Sequence, residues 1–147
     1  MKKIVITGYS SNISEQLIKI IETEKNTEII KCGRGKKADI KVDFSSMKSI
    51  KSFIKNIIKK KPTHLIICHG VLYGKKINDL KEIESIKSVM INMISVIIIL
   101  ENITKIKNLN TVVISSISGK KGSFDNLYAA TKSGVNLSVK TISKQID

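Results

Sequence analysis

Lys3-Ile4-Val5-Ile6-Thr7-Gly8-Tyr9-Ser10-Ser11-Asn12-Ile13-Ser14 (KIVITGYSSNIS, 3–14) decides the fold. Lys3 to Thr7 is a short, mostly β-branched run that reads as a buried strand ending at Gly8. Ile13, Leu17, Ile20 and Ile21 then recur at helical spacing. A strand therefore passes through a glycine turn straight into a helix. Such a turn lets backbone N–H groups meet a pyrophosphate at the helix N-terminus. An ordinary strand-to-helix turn capped by Ser or Asn has the same appearance.

The pattern repeats outward. Glu28 to Cys32 is a second strand, stopped by Gly33-Arg34-Gly35, and Asp39 to Val42 a third. Ser46 can cap a helix whose apolar face is Met47, Ile50, Phe53, Ile54, Ile57 and Ile58, and Pro62 stops it. Thr63 to Cys68 is a fourth strand, closed by Gly70, and a long helical region runs from about Lys81 to Lys105. Thr111 to Ser115 is a fifth strand. A glycine-bearing loop, Gly119 to Ser123, leads to a last helix from about Asn126 to Lys144. Strands without polar alternation, separated by helices, predict a Rossmann-type doubly wound parallel α/β sheet flanked by helices, in a single domain over 1–147.

The 147 residues and 41% hydrophobic content suit one core. Cys32 and Cys68 show no metal spacing, and no metal or disulfide is expected. The N-terminal apolar run is too short for a signal peptide, and Val96 to Leu100 too short to span a bilayer. A cytoplasmic protein without a membrane partner is the expectation. The formal charge of +14 raises nucleic acid as a partner. Arg34 is the only arginine, however, and the lysines are spread over the helices. Bidentate phosphate and base recognition favours arginine, so the charge reads as solvated lysine faces and no nucleic-acid partner is expected.

Candidate ligand-binding residues fall at strand ends, where such sheets bind ligands. Gly8, Ser10, Ser11, Asn12 and Ile13 form the first turn. Arg34 stands at the tip of strand two, where no Asp or Glu is found. An acidic residue there would hold a ribose 2′-hydroxyl, whereas arginine accommodates a 2′-phosphate, so NADP(H) is favoured over NAD(H). A solvated surface arginine is the plainer alternative. Asp43, followed by Phe44, can accept from an adenine amino group or cap a turn. Tyr128 and Lys132 lie four apart on one helix face, downstream of Ser115 and Ser116. A free tyrosine has a pKa of about 10, and an adjacent ammonium favours the phenolate. A depression of about 3 units corresponds to roughly 4 kcal/mol of differential stabilisation. An aromatic ring lying on a lysine stem at a surface has the same spacing.

Together these residues resemble the short-chain dehydrogenase/reductase family. Thr7 to Ser14 resembles its T-G-x-x-x-G-x-G motif, and Cys68-His69-Gly70 takes the place of its N-N-A-G motif. Asn92 matches its helix asparagine, and Ser116, Tyr128 and Lys132 match its Ser and Y-x-x-x-K. The resemblance covers essentially the whole chain. It implies that Tyr128 is the acid/base, that Lys132 lowers its pKa and binds the ribose, that Ser116 orients the substrate oxygen and that Asn92 supports a proton-relay water. Gly8, Ser10, Ser11, Asn12, Ile13, Arg34, Asp43, Phe44, Cys68, His69, Gly70, Tyr128 and Lys132 would then bind the cofactor. Hydride transfer would belong to the nicotinamide, and the substrate would be a small carbonyl or alcohol. A homo-oligomer through the Asn92 and Tyr128 helices is implied as well.

The sequence departs from the family pattern in places. Asn12 and Ser14 replace the second and third motif glycines, and Ser14 adds a side chain where helix and strand pack closely. Asn12 tolerates a left-handed backbone. His69 reads as a structural variant rather than a base. Family spacing selects Ser115, whereas the local Ser-Ser-x-x-Gly pattern selects Ser116, which we adopt. The sequence ends at Asp147, before the family's usual C-terminal strands and substrate loop. A non-catalytic relative that binds a nucleotide or a partner, or a sugar-nucleotide epimerase or dehydratase, remain the alternatives.

Overall fold

A computed structural model describes residues 1–75 and 79–145; Asp147 lies outside them. The chain forms two compact units, Met1–His69 with Lys105–Ile114, and Gly70–Thr104 with Ser115–Asp147.

The first unit holds the sheet. Its elements are β1 (Lys2–Thr7), α1 (Asn12–Ile21), β2 (Thr27–Gly33), β3 (Ile40–Lys41), α2 (Met47–Lys60), β4 (His64–Ile67) and β5 (Asn110–Val113). The strand order is β3-β2-β1-β4-β5 with every pair parallel, a Rossmann-like α/β arrangement. Thr7 pairs with Cys32 on one side and Ile67 on the other, so the winding reverses across β1 and β4. Val5, Ile6, Leu65 and Ile67 are buried, as continuous apolar runs demand when both faces are covered. β5 departs from that expectation: it pairs only with β4 among the described residues, and its Val112 is 53% exposed.

Ile18 and Ile21 of α1 pack with Ile4 and Ile6, joined by Leu17 and Tyr9. Ile13 and Ile20, expected on that face, are exposed; the buried stripe turns around Ser14, Ile18 and Ile21 instead. Ser46 caps α2 by accepting from the Ser49 N–H, and Lys61 ends it in a left-handed conformation just before Pro62. Ile50, Phe53, Ile54 and Ile57 are its buried face, while Lys48, Lys51 and Lys55 line an exposed groove on the other side.

The second unit holds α3 (Glu82–Val89), a π-helical segment (Met90–Ile94), α4 (Ser95–Ile103), α5 (Ser118–Lys121) and α6 (Asn126–Ser143). The loop expected around Gly119 contains α5, whose first turn is held by the Ser116 hydroxyl accepting from the Ser118 N–H at 3.2 Å. α6 packs against α5, α3, α4 and the π segment. Glu82–Ile103 is one continuous 22-residue helix. It is thus long and apolar enough to cross a membrane by length and composition, which the short Val96–Leu100 run did not suggest. Buried core helices pass the same test. This one carries Ser88, Asn92 and Ser95 buried on hydrogen bonds, and Ile97 and Ile98 only half-buried.

Candidate active site

In the first unit, the carboxyl ends of β1 and β4 are knitted together. Gly8 has φ +65°, and a β-carbon on it would stand 2.6 Å from the His69 Cα and 2.8 Å from its nitrogen. Only glycine fits both that backbone conformation and that approach. The Thr7 hydroxyl accepts from the N–H groups of Cys68 at 3.1 Å and His69 at 3.4 Å. The same hydroxyl is hydrogen-bonded to His69 Nδ1, 2.7 Å away. The ring stacks on Phe44 at 3.6 Å, and Phe44 meets Phe53 edge-on. His69, 6% exposed, is a built-in part of this strand-end cluster.

The turn after Gly8 leads into the N-terminus of α1. Ser11 is the N-cap, accepting from the Ser14 N–H at 3.2 Å and donating to the Ser14 hydroxyl at 2.9 Å. Ser14 is fully buried, so the side chain that replaces a motif glycine is taken up by this pair. Asn12 opens α1 and is not left-handed. Ser10, Asn12 and Ile13 are exposed. Arg34 is exposed and has no hydrogen-bond or ion-pair partner among the described residues. Asp43 Oδ1 accepts from the N–H and hydroxyl of Ser45, so the turn-capping role is occupied. Both cysteines are thiols; burial, with Asp39 adding, pushes Cys32 up to about 12.

In the second unit, Asn92 sits in the π segment, fully buried. Its Oδ1 accepts from the Val71 N–H at 2.7 Å; its Nδ2 donates to the Val71 carbonyl at 2.7 Å and the Ser88 hydroxyl at 3.2 Å. π segments recur at functional sites because they leave the backbone ladder locally irregular. A β-carbon on Gly70 would lie 3.3 Å from Asn92 Oδ1 and 3.7 Å from Lys132 Nζ, so glycine lets these two groups converge. Lys132, 5% exposed, places Nζ 5.6 Å from the centroid of the Tyr128 ring. Asn92, Lys132 and Tyr128 are thereby brought together. The Tyr128 hydroxyl makes no hydrogen bond among the described residues, and none joins it to Ser116. The neighbouring Ser115 hydroxyl is buried and unpartnered.

Several positions were not singled out in the sequence. Asp125, buried, caps α6 by accepting from the Tyr128 N–H at 2.9 Å, and a helix-capping search would have found it. Gly119 lies against the α6 backbone, Val71 is the partner of Asn92, and Tyr9 covers Gly33 and Gly35. No local pattern marks these three, because each depends on a segment distant in sequence.

No protein-family model and no curated protein matches the chain. Solved structures do match. A short-chain dehydrogenase family protein from Francisella tularensis is 18% identical with a TM-score of 0.83, covering 99% of this chain and 64% of that one. The F189W actinorhodin polyketide ketoreductase with NADPH is 18% identical with a TM-score of 0.84, covering 99% and 65%. A protein described as ribose-5-phosphate isomerase from Brucella melitensis is 16% identical with a TM-score of 0.87, covering 99% and 63%. The chain spans just under two thirds of each of these three. The third carries a different activity in its description, as expected when one fold hosts several chemistries. The chain thus has the parallel α/β fold of the short-chain dehydrogenase/reductase proteins.

Proposed function

We propose that the chain is an NADP(H)-dependent oxidoreductase of the short-chain dehydrogenase/reductase family that interconverts a carbonyl and an alcohol. The observation that carries this is the convergence of Tyr128, Lys132 and Asn92 within one compact unit. The first unit fits the adenosine and pyrophosphate end of a dinucleotide: Gly8, at φ +65°, turns the chain from β1 toward the N-terminus of α1, and Arg34 has an uncommitted guanidinium. The Gly8 turn would receive the pyrophosphate and Arg34 a 2′-phosphate, with Asp43, Phe44, Cys68 and His69 beside the adenosine. The nicotinamide, when bound, supplies the hydride.

The Tyr128 hydroxyl donates a proton to the carbonyl oxygen on reduction and takes it back on oxidation. Lys132, with Nζ 5.6 Å from the centroid of the Tyr128 ring, would hold the ribose hydroxyls beside that exchange. Ser116 holds the substrate oxygen, and Asn92 anchors Val71 and a proton relay. His69, buried and stacked on Phe44, is left out of the chemistry. The substrate is a small molecule, and we assign the protein to the cytoplasm, as a homo-oligomer through the helices bearing Asn92 and Tyr128.

The test is oxidation of NADPH by the purified chain across a panel of carbonyl compounds. Turnover is expected, with Tyr128→Phe lowering it by about a thousandfold. Normal folding without turnover on any carbonyl would overturn the activity; turnover unaffected by Tyr128→Phe would overturn the role of Tyr128.

A further inference from the structure

Tyr9 follows Gly8 in the turn after β1, yet its ring lies over the tip of β2. A β-carbon on Gly33 would stand 3.1 Å from Tyr9 Cδ1 and 3.3 Å from Cε1. One on Gly35 would stand 3.2 Å from Cζ and collide with the hydroxyl. Neither glycine has a positive φ, so backbone conformation does not call for glycine at either place. The space taken by the phenol ring does. The backbone repeats the linkage, since the N–H groups of Gly8 and Tyr9 both donate to the Cys32 carbonyl, at 2.9 and 3.4 Å. The ring itself is seated on the cluster of Ile4, Ile6, Ile18 and Ile21.

Arg34 stands between the two glycines covered by the ring, exposed and without a partner among the described residues. A long, rotamer-rich side chain on a two-glycine tip would ordinarily lose binding energy to ordering its own backbone. Here the phenol ring holds both flanking residues in place before any ligand arrives. We propose that Tyr9 is a specificity-determining positioning residue: it braces the Gly33-Arg34-Gly35 tip so that Arg34 is preset for a 2′-phosphorylated adenosine. This rests on the nucleotide-binding part of the function proposed above. All of its residues lie in one unit, so it requires nothing of the Tyr128 site.

The experiment titrates the full chain calorimetrically with 2′,5′-ADP and with 5′-ADP, which differ only in the 2′-phosphate. Charge-assisted contacts to that phosphate predict a preference for 2′,5′-ADP of about tenfold or more in the wild type. Tyr9→Phe keeps the ring and should keep the preference. Tyr9→Ala should cut it to about twofold while leaving 5′-ADP affinity nearly unchanged, because only the phosphate contact loses its preset geometry. Tyr9→Leu, which retains apolar contact with the isoleucines, makes the same test if the alanine variant does not fold. Gly35→Ala, which drives a methyl into the space of the hydroxyl, should act like Tyr9→Ala. A folded Tyr9→Ala or Tyr9→Leu variant with the wild-type preference would overturn the inference and leave nucleotide binding standing. A wild type that binds both ligands equally would also overturn it. A wild type that binds neither 2′,5′-ADP nor NADPH would instead remove the nucleotide-binding reading, and the inference with it.

Discussion

Asn92 grips Val71 from both sides, with Oδ1 accepting from its N–H and Nδ2 donating to its carbonyl, each at 2.7 Å. One amide side chain thus does for Val71 what a strand neighbour would do, and ties the segment after β4 to the π segment. Asn92→Ala strands two backbone groups and the Ser88 hydroxyl. Each buried group left unpaired costs about 1–3 kcal/mol, so a loss of roughly 3 kcal/mol or more in urea unfolding is expected. Asn92→Asp keeps the acceptor but loses both donated bonds, and should recover only part of that loss. A wild-type unfolding midpoint for Asn92→Ala would show that the grip contributes nothing.

Gly119 and Gly134 make opposite predictions from the same substitution. A β-carbon on Gly119 would meet the backbone of α6, 2.7 Å from the Lys132 carbonyl carbon and 2.8 Å from the Ser133 nitrogen. Backbone cannot yield locally, so Gly119→Ala should separate α5 from α6 and cost about 1–3 kcal/mol. On Gly134 the obstacle is Met93 Sδ at 2.6 Å, near the end of a flexible side chain. Alanine there also gains about 1 kcal/mol of helix propensity, so Gly134→Ala should stay within about 1 kcal/mol of wild type. Thermal melts of the two variants read the contrast directly.

The two serines after β5 separate by what their hydroxyls do. Ser115→Ala removes a buried, unpartnered hydroxyl and should be neutral or stabilising by up to about 1 kcal/mol. Ser116→Ala removes the acceptor for the Ser118 N–H and should cost roughly 1 kcal/mol. In the NADPH assay Ser116→Ala should lower turnover; loss of turnover in Ser115→Ala instead would transfer the substrate-holding role to Ser115.

Burial raises the Cys32 thiol from 9.0 to about 12, with a consequence for alkaline stability. Below pH 9 the thiol is protonated in folded and unfolded chains alike, and the group is neutral to folding. Above pH 9 the unfolded chain releases the proton and the folded chain does not. Stability therefore falls by roughly 1.4 kcal/mol per pH unit from this group until about pH 12. Wild type compared with Cys32→Ala by urea unfolding between pH 8 and 10.5 isolates the effect, because other titrating groups cancel in the difference. Equal slopes would refute it. In native protein at pH 8, a thiol reagent should modify Cys68 well before Cys32, which should react only in denaturant.

The local signals carried the fold. Five apolar runs, three of them closed by glycine, with helices between most of them, pointed to the parallel sheet, because burial on both faces leaves a pattern within each strand. The cap at Ser46 and the stop at Pro62 were legible for the same reason: a cap is satisfied within three residues of itself, whereas the first turn offered Ser or Asn and only the structure assigns Ser11. The spacing of Tyr128 and Lys132 was equally local, since four residues on a helix share a face.

Tertiary structure alone decided what depends on a distant neighbour. Val112 is exposed on the last strand among those described, which its own apolar residues could not reveal. The hydrogen bond that holds the His69 ring comes from a threonine 62 residues away, and the commitment of Asn92 to Val71 from a segment 21 residues away. Glycine at 33 and 35 reads in the sequence as a strand stop. Only the folded chain shows that the space is taken by the ring of Tyr9, because a side chain's volume is shared between residues that sequence order keeps apart.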